Sequence, residues 1–166
     1  SSPASDWYKR QSYAIFQQVL CYGLTNQKNE RKSKLNVLYS EYTDSPYHDD
    51  AMLLLADIYL NSTTELDKGV ALLEQLVSDY PSSNLIKSAM LKLGLHYYNN
   101  DNNELAILNF KKVIDNYPST SESKEALMAF KNVSVEQGNV KAYLSYVEGL
   151  SGVSVSVAAQ DSITFD

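Results

Sequence analysis

Leu93-Gly94-Leu95-His96-Tyr97, followed by Ala106, Phe110 and Pro118, decides the fold, because a variant of the same string stands one step earlier in the chain. The pair Tyr80-Pro81 recurs 37 residues later as Tyr117-Pro118. Ala51-Met52-Leu53 lies 38 residues before Ala89-Met90-Leu91, and Ala126-Leu127-Met128 lies 37 residues after it. Tyr59 precedes Tyr97 by 38 residues, whereas Leu73, Leu76 and Val77 precede Phe110, Val113 and Ile114 by 37. The extra residue of the earlier copy therefore falls in its internal turn, around Asn61-Ser62-Thr63-Thr64, since turns accept insertions and helix faces do not.

Each copy reads as two helices. Met52, Leu53, Leu55, Ala56, Tyr59 and Leu60 follow helical spacing, as do Val70, Leu73, Leu76 and Val77, and no β-branched run alternates between turns. Asn99-Asn100-Asp101-Asn102-Asn103 marks the turn inside one copy, and Tyr-Pro-Ser the turn between copies. Proline after Tyr80 and Tyr117 pushes the preceding residue out of the helical region and stops the helix. Ser83 and Ser121 are then expected to cap the next helices.

These residues resemble the tetratricopeptide repeat family. Gly94 and Tyr97 match the family's first helix; Ala106, Phe110 and Pro118 match its second helix and stop. Ala56, Tyr59, Gly69, Leu73 and Pro81 repeat the pattern one step earlier. Small residues such as Gly94 and Ala106 are expected where paired helices cross most closely. The family period is about 34 residues, so the longer step here implies added residues between the proline and the next first helix. The resemblance implies an all-α, right-handed superhelical array of antiparallel helix pairs. Four repeats fall at about 8–42, 46–80, 83–117 and 121–150, making one domain over 1–150. Val19 and Arg31 replace the small residues in the first repeat, and Lys131 stands at the small position of the fourth. Terminal repeats of a stack are expected to be atypical.

Residues 151–166 read as an extended linker. Val153-Ser154-Val155-Ser156-Val157 alternates as a strand would, yet no second strand pattern is there to pair with it, leaving a linker or an edge that meets another molecule. The Tyr-Pro-Ser links are similar to those of envelope-associated members from Gram-negative bacteria. That resemblance implies a place in the cell envelope or periplasm, and the segment Tyr146 to Phe165 resembles a linker between repeat blocks of such proteins, which implies a piece of a longer repeat protein.

A net charge of −6 argues against a nucleic-acid surface. The single basic cluster, Lys28 to Lys34, reads as a solvated helix face. No 18-residue apolar run is present to span a membrane, and no targeting segment is visible. Cys21 is alone, which excludes an internal disulfide or a zinc ligand set, and it reads as a buried small residue of the first helix pair. His48, in an N-terminal turn, and His96, within a first helix, read as structural or surface residues. The Asn-rich turn superficially resembles a calcium loop, but Phe110 stands where a bidentate glutamate belongs. No phosphate loop or nucleophile motif appears, so no catalytic residue, cofactor or metal is expected.

In the family, first helices line a concave groove. Carrying its positions across gives Leu53, Asp57, Leu60 and Asn61 from the second repeat, and Leu91, Leu95, Tyr98 and Asn99 from the third. The fourth gives Met128 and Asn132, with Val135 beside them, and Tyr13, Phe16 and Leu20 extend the set. A basic clamp for C-terminal carboxylates is not expected, because only Lys92 could contribute. The reading is a protein or peptide partner of apolar or mixed character bound by a non-catalytic scaffold. The alternative is a spacer or self-associating segment of a larger envelope protein.

Overall fold

The computed structural model describes residues 2–150 of the 166; the linker expected over 151–166 lies outside them. Within the described residues the chain forms eight α-helices and no strand. They are α1 (Pro3–Leu24), α2 (Lys28–Glu41), α3 (His48–Leu60), α4 (Leu66–Asp79), α5 (Ile86–Asn99), α6 (Asn103–Asn116), α7 (Ser121–Glu136) and α8 (Val140–Gly149).

The turns inside helix pairs, the α3–α4 turn excepted, share one device. Three of them are three residues long and hold a left-handed residue at their centre: Asn26 (φ 55°), Asp101 (φ 58°) and Gly138 (φ 65°). In each, the next residue's N–H closes back five residues, Gln27 to Tyr22, Asn102 to Tyr97 and Asn139 to Ser134, at 2.8–2.9 Å. This is the Schellman ending, which satisfies helix carbonyls that would otherwise be orphaned. The α3–α4 turn runs from 61 to 65 and is the longer one, where the sequence places its insertion.

The turns between pairs repeat as closely. Tyr42, Tyr80 and Tyr117 end α2, α4 and α6 with φ of −120°, −122° and −131° and ψ of 50–59°. Proline follows two of them and enforces that exit; Thr43 follows the third. Ser83 does not cap α5. It lies three residues before Ile86, where its hydroxyl accepts from the Leu85 N–H at 3.1 Å and donates to Asp49 at 2.6 Å. Thr120, not Ser121, caps α7, accepting from the Ser123 N–H at 3.1 Å.

By packing, the described residues divide into two compact units, the first ending at Leu93 and the second beginning at Gly94, the boundary falling within α5. In the first, α2 packs against α1 and α3, and α3 against α4. Leu35, Leu38, Met52, Leu55, Leu73 and Leu76 form its buried core. In the second, α7 packs against α6 and α8 around Phe110, Ile114, Phe130 and Val133. Each such side chain contributes roughly 1.5–3 kcal/mol by leaving water.

Glycine marks the close approaches. A Cβ on Gly94 would stand 2.6 Å from the Phe110 ring, so the glycine makes room for that side chain. On Gly69 it would meet Leu60 Cγ at 2.9 Å and the Ala56 carbonyl at 3.0 Å. In the first pair the small residue has moved one helical turn, from Val19 to Gly23, which faces the Arg31 guanidinium.

Candidate partner-binding surface

Both compact units carry positions expected in the groove. In the first, Leu53, Asp57 and Leu60 are half-buried on α3 and Asn61 is exposed at its end. The Asp57 carboxylate pairs with Lys92 Nζ on α5 at 2.8 Å, and Asn61 Nδ2 donates to the Asp57 carbonyl at 2.8 Å. Lys92, the lone clamp candidate, is thus engaged by Asp57. Leu91 is only 6% exposed and belongs to the packing. Tyr13 and Leu20 are exposed on α1, while Phe16 stacks on Tyr47 with ring centroids 4.7 Å apart.

In the second unit, Leu95 and Tyr98 are half-buried and Asn99 is exposed. Met128 (60% exposed), Asn132 and Val135 (53% exposed) follow four- and three-residue steps along α7, so they share one helix face. The Tyr98 hydroxyl donates to Glu136 Oε1 at 2.6 Å and so joins α5 to α7. This bond, then the loss of solvation, raises the Tyr98 pKa. Sequence reading passed over Glu136, which stands 38 residues after Tyr98, one residue past the repeat step of 37.

The histidine and cysteine expectations separate. His48 opens the N-terminal turn of α3 and is 4% exposed. Its Nε2 lies 2.9 Å from the Tyr39 carbonyl, which can only accept, so Nε2 carries the proton and Nδ1 accepts from the Tyr80 hydroxyl. Both ring nitrogens hold structure. Cys21, expected to be buried, is exposed. It follows the fully buried Val19 by two residues, roughly 200° around the helix.

Among the described residues no group of three or more His, Cys, Asp or Glu side chains could hold a metal ion. No helix there is long and apolar enough to cross a membrane.

The tetratricopeptide repeat model matches residues 50–83 and 88–120. These two consecutive matches support a tetratricopeptide repeat family. They span the helix pairs α3–α4 and α5–α6, the repeats in which Gly69 and Gly94 make the close approaches. The fold is accordingly an all-α helical repeat of the tetratricopeptide type. Tetratricopeptide repeats generally mediate protein–protein interactions and are typically non-catalytic. A comparison with curated proteins gave no match.

Proposed function

We propose that the chain is a non-catalytic scaffold that receives a peptide or partner protein on the exposed faces of its first helices. The observation that carries this reading is the pair of exposed apolar side chains on α7, Met128 and Val135, 60% and 53% exposed beside the amide of Asn132. A solvated helix normally places charge there. Apolar anchors next to amides suit peptide recognition, in which a few desolvated side chains carry most of the affinity. Tyr98, held by Glu136, adds a fixed aromatic.

The test is capture from an extract of the source cells by wild-type protein and by Met128→Glu and Val135→Glu, with Leu108→Glu on α6 as control. The first two are expected to lose the partner by more than about tenfold, equivalent to 1.4 kcal/mol. Retention of the same partner by both sinks the reading. The second reading, a spacer or self-associating segment, draws on the exposed Trp7 (61%) and Leu24 (89%) of α1. Light scattering decides it, since a mass independent of concentration removes self-association. Placement in a Gram-negative envelope rests on the resemblance of the Tyr-Pro-Ser links, and membership of a longer protein on the linker-like sequence of 146–165. Fractionation of those cells tests it.

A further inference from the structure

Away from the first-helix faces, a cavity of about 250 Å³ lies among α2, α3 and α4, within the first compact unit. Leu55, Ala71 and Leu72 supply apolar lining, Tyr39 and Tyr59 supply rings, and Asn36, Gln75 and Lys68 are its polar members. Two side-chain links tie α2 to α4 beside it. Lys32 Nζ contacts Glu65 Oε2 at 2.7 Å, and the Tyr39 hydroxyl donates to Gln75 Oε1 at 2.9 Å. Lys68 Nζ reaches the same Glu65 carboxylate at 3.0 Å. Lys32 and Lys68 stand 4.6 and 5.6 Å from the centre of the Tyr59 ring.

Two ammonium groups share one carboxylate, so the cluster carries one positive charge in excess, in a chain of net charge −6. An apolar, aromatic-lined cavity with that surplus suits a ligand with an apolar body and one carboxylate. The volume is below the usual ~300–1,000 Å³ of ligand pockets, which limits the body to about one ring. We propose that this cavity binds a small aromatic monocarboxylate, with its ring against Tyr39, Tyr59 and Leu55 and its carboxylate paired with Lys68.

The experiment is a ¹H–¹⁵N chemical-shift titration of the whole chain with 3-phenylpropionate, set against 3-phenylpropanol, which keeps the ring and lacks the charge. Saturable shifts are expected at Leu55, Tyr59, Ala71 and Leu72, with the alcohol at least about tenfold weaker. Lys68→Gln removes the surplus charge and should bring the acid down to the alcohol's affinity. Glu65→Gln leaves both ammonium groups to the ligand and should tighten the acid several-fold. Ala71 is exposed on α4, so Ala71→Trp can fill the cavity with helix content unchanged, and it should abolish the saturable shifts. Equal affinity for acid and alcohol overturns the proposal, as do indifference to Lys68→Gln, shifts that do not saturate, or shifts centred on Tyr98 and Met128.

Discussion

At the scale of single residues, Gly94 and Phe110 show how little room the fold leaves. A methyl group at Gly94 gains up to about 1 kcal/mol of helix propensity but must displace a ring that is 0% exposed. Overpacking of that kind costs about 1–3 kcal/mol. Gly94→Ala should therefore lower the urea midpoint, and Phe110→Leu in the Gly94→Ala background should cost less than Phe110→Leu alone. The left-handed Asp101 gives the opposite sign: Asp101→Gly relieves a strained φ of 58° and should stabilise by a few tenths to about 1 kcal/mol in the same assay. Gly94 was legible in the sequence as a close-approach residue, but its partner was not. Spacing gives the face of a helix, not which side chain fills it.

At the scale of elements, polar side chains fix how helices meet. His48, at the head of α3, holds the Tyr39 carbonyl of α2 and the Tyr80 hydroxyl at the end of α4. His48→Ala removes a buried ring and strands two half-buried groups, and should cost about 2–3 kcal/mol, read by chemical denaturation. Glu65 ties α4 to α2 through Lys32, and its hydrogen bonds to Lys32 and Lys68 lower its pKa. The stability from that link is fully present above the ordinary value of 4.5 and is lost as pH falls through the lowered folded value. Thermal unfolding from pH 7 to pH 3 should show a shallower acid loss in Glu65→Gln; identical slopes would contradict the link. The Tyr98–Glu136 bond behaves inversely. Its raised tyrosine pKa makes the contribution complete below 10 and lost as pH rises through the folded value, a dependence Tyr98→Phe should remove. The basic run 28–34, read as a solvated face, concealed Lys32 because its partner lies 33 residues away.

At the scale of the molecule, a repeat fold is stabilised by each helix pair and its neighbours rather than by one central core. Protection should then differ along the chain. α3 buries Ala51, Met52, Leu55, Ala56 and Tyr59, whereas α8 spans ten residues and Tyr143 is its buried side chain. Native-state hydrogen exchange should give α8 the faster amides and α3 the slower; equal protection would count against local opening by repeats.

The sequence by itself determined the helix pairs, their step and their stops, because these depend on local rules: helical periodicity, the conformation forced before proline, and turn residues that accept a left-handed backbone. It also placed the extra residue in the α3–α4 turn. Only the tertiary structure decided that Cys21 faces solvent, that Leu91 is packed away, that Asp57 holds Lys92, and that Lys32 and Lys68 share Glu65 beside a cavity. Those facts depend on the rotation of one helix against another and on the reach of side chains across the gap. One chain's periodicity leaves both unspecified.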